Sequence, residues 1–231
     1  MPTIKRIVCL ADSRKTGGRC FAGRERTGNQ AGGWIRPVSN RPHEEVSVEE
    51  RRYENGAYPQ VLDIVDIPLI EPRPRTYQQE NWLLDPGYYW EPRGRAGWQD
   101  LAALADPPAM LWHNWSSTYH GTFDRVPLDQ ATTLTSSLRL LRTDRLTLSV
   151  FAPSATFGNP KRRVYGRFHY AETEYRLRVT DPVYEDAYLA RQDGEYHLEE
   201  IYITVSLGEP WDGFCYKLIA AIIEKGGCVR E

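Results

Sequence analysis

The stretch RVYGRFHYAETEYRLRVT, residues 163–180, decides the fold class. Polar and apolar side chains alternate through Arg163–Tyr170 and again through Tyr175–Thr180. That is the period of half-buried strands. The intervening Ala171–Glu174 is short and polar, so the two runs read as an antiparallel hairpin. Pairing Tyr170 with Tyr175 sets Phe168 against Leu177 and Gly166 against Val179, on the face directed to a core. The opposite face then carries Arg163, Tyr165, Arg167, His169, Arg176 and Arg178, because strand side chains alternate. Guanidiniums beside a tyrosine suit phosphates, with an aromatic ring on which a base can stack. Lys161 and Arg162 extend the charge. The bland alternative is a solvated face made basic for solubility or edge protection. Glu172, Glu174 and Asp181 stand close enough in sequence to neutralise it.

Further strands flank this hairpin. Ile4–Leu10, Arg19–Arg24, Trp34–Val38, Val61–Ile70, Leu138–Arg142, Leu146–Phe151 and Ile201–Leu207 are rich in β-branched and apolar residues. Pro37 and Pro68 cannot donate to a ladder, which puts their segments at an edge, an end or a bulge. Phe214–Ile223 reads as a strand or a short helix. Glu44–Glu54 is a candidate acidic helix, with Ser47 and Glu50 at capping-box spacing. Trp98–Ala105 is a second candidate, stopped by Asp106-Pro107-Pro108. Met110–Thr122 is aromatic and loop-like. Short strands punctuated by turns predict a mainly β protein, a strand-rich α+β chain, of sandwich or small-barrel type. The Thr/Ser-rich stretch 132–137 suggests a division into residues 1–131 and 132–231. No internal sequence repeat is evident.

With 231 residues, 41% hydrophobic and 26% charged, the chain can bury one large core or two small ones. No apolar run approaches the roughly 20 residues needed to cross a bilayer. The apolar run after Lys5-Arg6 ends at Asp12, too soon for a signal peptide. The expectation is a cytoplasmic protein with no membrane association. Cys9, Cys20, Cys215 and Cys228 include no C-x-x-C pair and read as free, buried thiols. Net charge is −2, but the distribution is uneven. Residues 1–36 hold Lys5, Arg6, Arg14, Lys15, Arg19, Arg24, Arg26 and Arg36 against Asp12 and Glu25. Local clusters of this kind matter for polyanions more than the sum does.

A second basic cluster surrounds Gly17-Gly18. Arg14, Lys15 and Arg19 flank a turn whose N–H groups could meet a phosphate, and Trp34 and Arg36 follow on one strand face. Neither dinucleotide-binding nor P-loop glycine spacing is present, so a basic turn is the competing reading. No G-x-S-x-G elbow occurs. His43, His113, His120, His169 and His197 form no metal-binding pattern, and no metal or cofactor is expected. The chain has no recognisable catalytic motif. An enzyme would need a site assembled from distant residues, for which Asp12, Arg14, Lys15, Arg19 and Cys20 are the candidates.

Several stretches carry a resemblance: Lys5-Arg-Ile-Val-Cys-Leu-Ala-Asp-Ser-Arg-Lys15, Gly18-Arg-Cys-Phe-Ala-Gly23, Gly33-Trp-Ile-Arg-Pro-Val-Ser39, Val205-Ser-Leu-Gly-Glu-Pro210 and Cys215-Tyr-Lys-Leu-Ile219. Together they resemble a prokaryotic family described as a dual OB-containing domain, over nearly the whole chain. The resemblance implies two small OB-like β-barrels, of a type associated with bacterial conflict or defence contexts. It brings no catalytic residue. OB barrels bind single strands on one sheet face and its flanking loops. The expected function is a nucleic-acid or nucleotide binding module, its partner a single-stranded nucleic acid or a nucleotide. The alternatives are an enzyme acting on such molecules, or a protein-interaction or sensor module anchored by exposed aromatics.

Overall fold

The computed structural model describes residues 2–15, 17–27, 30–153 and 158–226, without the side chains of Thr27 and Gln30. Cys228 and Thr16 lie outside the described residues. Contacts divide the chain into two units. The first holds residues 1–105 and 135–137; the second holds 106–134 and 138–231. Residues 106–131 thus go with the second unit, ahead of the division expected at Thr132.

In the first unit β1 (Thr3–Lys15), β2 (Gly18–Thr27), β3 (Gln30–Val38), β4 (Asp63–Pro72), β5 (Asn81–Leu84) and β6 (Glu91–Arg95) form one sheet. Its order is β1-β2-β3-β5-β4, and β4 pairs back onto β1, closing a ring. β3 and β5 run parallel, the other ring pairs antiparallel. β6 lies outside the ring on β4. Inward-facing Ile7, Cys9, Phe21, Ile35, Val65, Ile67 and Leu69 fill the barrel with Trp90. Gly23 is required where β2 crosses β1, since a Cβ there would stand 2.1 Å from the Val8 carbonyl oxygen. The Glu44–Glu54 segment contracts to a single 3-10 turn, Glu49–Arg51. Its capping box forms: Ser47 N–H donates to Glu50 Oε2 at 2.8 Å, and Glu50 N–H to Ser47 Oγ at 3.2 Å. No apolar stripe follows to extend it. Trp98–Asp100 and α1 (Leu101–Leu104) make the second short helical stretch.

In the second unit β7 (Arg125–Pro127) and α2 (Leu128–Ala131) precede β8 (Leu138–Phe151), β9 (Arg163–Tyr170), β10 (Thr173–Val179), α3 (Pro182–Leu189), β11 (Gly194–Trp211) and β12 (Phe214–Glu224). The order β9-β8-β11-β12 closes through a parallel β10–β12 pairing, and β7 adds to β12. Renumbering β8, β9, β10, β11 and β12 as one to five gives a ring ordered 1-2-3-5-4, with strands three and five parallel. That is the order of the first unit. Two barrels of one topology therefore follow each other without a sequence repeat, because a barrel constrains alternation and length more than identity. Two expected strands merge into β8, whose partner β11 keeps its register on both sides of Glu200, φ +48°. Phe214–Ile223 is strand, paired along β11.

The decisive hairpin forms in a different register. Phe168 pairs with Tyr175, Gly166 with Leu177 and Tyr165 with Arg178, two residues away from the expected Tyr170–Tyr175 pairing. The turn is tighter, only Ala171-Glu172, both at positive φ. A shift of two keeps every side chain on its own face, where a shift of one would invert them. Val164, Phe168, Tyr175, Leu177 and Val179 are buried, and Phe168 stacks on Tyr175 at 5.5 Å.

Candidate nucleic-acid interface

The outward face of β9 and β10 carries the six expected residues, and its neighbours split them into two groups. At one end Arg167 lies 3.7 Å from Glu174 and 3.5 Å from Glu195, and His169 lies 3.7 Å from Glu174. There the neutralised, solvated reading describes the geometry. Arg162 is committed elsewhere, to Asp193 at 2.7 Å and to the Leu189 and Arg191 carbonyls.

At the other end Arg163, Tyr165 and Arg178 line a cleft of ≈ 510 Å³, within the range of small-ligand sites. Pro153 borders it from the β8–β9 connection, Gly208, Glu209 and Trp211 from the end of β11, and Tyr216, Lys217 and Leu218 from β12. Thr118, Tyr119, His120 and Asp124 come from the aromatic loop. Trp211 is 70% exposed and Tyr119 91% exposed. An aromatic track runs Tyr119–His120–Phe151–Tyr165 with centroid spacings of 4.8, 5.4 and 5.4 Å. The Arg176 guanidinium sits over both Phe151 and Tyr165, at 5.1 and 5.7 Å. Burial and the neighbouring Arg178 hold the Arg163 guanidinium below its ordinary pKa, and burial raises the Tyr165 phenol. Among the described residues one carboxylate lies within salt-bridge distance of Arg178, Glu185 at 3.9 Å. Arg176 and Arg178 each keep a buried Nε without a hydrogen-bond partner among the described residues.

Lys217, 1% exposed, lies behind this cleft. Its Nζ donates to the His113 carbonyl at 2.7 Å and to Asn114 Oδ1 at 3.0 Å, and stands 5.3 Å from the Tyr175 ring centre. Asn114 Nδ2 and the Leu111 N–H both donate to the Tyr175 hydroxyl. This network ties the start of the aromatic loop to the barrel. Asp124 accepts from the Thr118 N–H and hydroxyl and fixes the far end.

The family model of the dual OB-containing domain matches residues 5–222. The chain belongs to the dual OB-containing domain family. No curated protein matches it. Among solved structures it is similar to the crystal structure of the tetrameric p202 HIN2, at 8% identity, covering 94% of this chain and 87% of that one. The TM-score is 0.28, and a likeness at that level carries no weight.

In the first barrel of this dual OB chain, the equivalent sheet face is covered by its own unit. Arg24 stacks over Trp34 at 5.5 Å and donates to the Leu104 and Gly32 carbonyls. Arg36, 3% exposed, donates to Ser137 Oγ at 2.8 Å and pairs with Glu80 at 3.3 Å. Trp34 is likewise buried. The two are internal anchors, apart from Arg14 and Lys15 at the end of β1. Arg19 and Arg51 face Asp12, with Arg51 Nη1 at 3.0 Å, and burial raises the Asp12 carboxyl. Cys20 is half-buried. Among the described residues no group of three or more His, Cys, Asp or Glu could hold a metal ion, and no helix is long and apolar enough to cross a membrane.

Sequence reasoning missed Lys217, Tyr119 and α3. Asp181-Pro182 was a legible helix start: Asp181 Oδ1 accepts from the Val183 and Tyr184 N–H groups, with proline at N1. Nothing local marks Lys217, which becomes a buried amine only when β12 closes the ring.

Proposed function

We propose that this protein is a single-stranded nucleic-acid binding module whose working surface is the β9–β10 face of the second barrel. One observation carries the reading. In an OB barrel, ligands lie on strands two and three and the loops joining strands one to two and four to five. The cleft is lined from those places, by Arg163, Tyr165 and Arg178 on the strands and by Pro153 and Trp211 at the two loops. Guanidiniums hold the phosphates while Tyr165, Trp211 and Tyr119 offer faces to bases, a sequence-tolerant mode worth about 1–3 kcal/mol per stacked base. A place in a bacterial defence or conflict system, implied by the family resemblance, belongs to the same proposal.

Fluorescence anisotropy with short single-stranded DNA, single-stranded RNA and duplex, titrated with salt, tests it. Single strands bind more tightly than duplex. Their log–log salt slope is about −0.7 per neutralised phosphate, corresponding to about two or three phosphates. Absence of binding at low salt would overturn the reading.

A further inference from the structure

We infer that the cleft captures the terminal phosphate of its ligand: Arg163 and Arg178 grip a phosphomonoester while Trp211 or Tyr119 stacks on the adjoining base. The inference rests on the proposed function and makes it narrower. A strand running along the whole hairpin would need a continuous cationic track, and the face does not supply one. Arg167 and His169 are shared with Glu174 and Glu195 beyond one end of the cleft. Arg162, beyond the other, is spent on Asp193 and two carbonyls. Between these two ends Arg163 and Arg178 line the pocket.

Within the pocket two guanidiniums stand together on a wall that also carries Asp124 and Glu209. Arg178 is the cross-strand partner of Tyr165, and Arg163 stands two residues along on the same face. The Arg163 side chain donates to the neighbouring Arg162 carbonyl at 3.2 Å. Glu185 is the carboxylate within salt-bridge distance of Arg178, at 3.9 Å. Two guanidiniums that repel each other are relieved more by a charge near −2 than by the −1 of an internal phosphodiester. The ≈ 510 Å³ volume is enough for a nucleotide.

The ligand chemistry is a nucleoside phosphomonoester, either a strand end or a free mononucleotide. The test compares one oligonucleotide sequence with a 5′-phosphate, a 3′-phosphate or hydroxyl ends, a circular single strand, and free nucleoside monophosphates as competitors. One phosphorylated end binds the full chain about tenfold more tightly than hydroxyl ends or the circle. That preference fades as pH falls through about 6, where the monoester takes up its second proton. Arg163→Gln and Arg178→Gln, checked for folding by thermal melting, erase it. If monophosphates compete at the concentrations that saturate alone, the source is a free nucleotide; if only phosphorylated strands bind, it is a strand end. Equal affinity for phosphorylated, hydroxyl-ended and circular strands would overturn the end-capture inference and leave the binding surface standing. No binding by any probe would overturn both.

Discussion

Lys217 shows how one residue takes its chemistry from its surroundings. Burial pushes its amine down to about 7, only partly opposed by Asp124. A neutral amine still has two N–H groups for the two acceptors it meets, the His113 carbonyl and Asn114 Oδ1, so losing the proton breaks neither bond. The folded-state pKa lies below the unfolded value of 10.5. Between about 7 and 10.5 the unfolded chain therefore holds a proton that the folded chain has released, and stability from this group rises with pH across that window. Replacing Lys217 with Met removes this dependence. The difference in unfolding free energy, wild type minus variant, should rise by about 1.4 kcal/mol per pH unit between about 8 and 10. Urea unfolding at several pH values reads it, and parallel profiles would refute it.

At the scale of the element, the hairpin presents Arg163 and Arg178 to the cleft through a turn its sequence does not favour. Ala171 and Glu172 sit at φ +46° and +60°, where residues with a Cβ are disfavoured by about 1–2 kcal/mol each. The β11–β12 hairpin makes the same two-residue reversal with Asp212-Gly213, at φ +49° and +76°, the pair such turns select for. The double change Ala171→Asn and Glu172→Gly should raise stability by about 1–2 kcal/mol, seen as a higher urea midpoint at unchanged slope. An unmoved midpoint would mean that the turn stores no strain. The contrast also explains the register difference. Asp-Gly announces a tight turn, Ala-Glu does not, and a four-residue connection was the natural reading of Ala171–Glu174.

Across the whole molecule, one barrel topology occurs twice with unlike surfaces. The first barrel closes its equivalent face with its own residues: Leu104, Ser137 and Glu80 take up Arg24 and Arg36. The second leaves Arg163, Tyr165 and Arg178 on a cleft. Charge reversals should separate the two. Arg178→Glu weakens single-strand binding about tenfold, Arg167→Glu about twofold because its charge is already shared, and Lys15→Glu changes it less than twofold. Equal losses at all three positions, measured by anisotropy at one salt concentration, would point to diffuse attraction by net charge rather than to a site.

The sequence by itself determined the strands, the facing of the 163–180 hairpin and the residue types offered to a ligand, because alternation is a local property with a period of two. It also carried the dual OB resemblance. Which arginines remain available was decided only by the tertiary structure. Glu195, which shares Arg167, lies on β11, and Glu185, 3.9 Å from Arg178, lies on α3; the amine buried behind the cleft, Lys217, lies on β12. Charge neutralisation and desolvation depend on distances through space, and closing a barrel brings together residues that the chain keeps far apart.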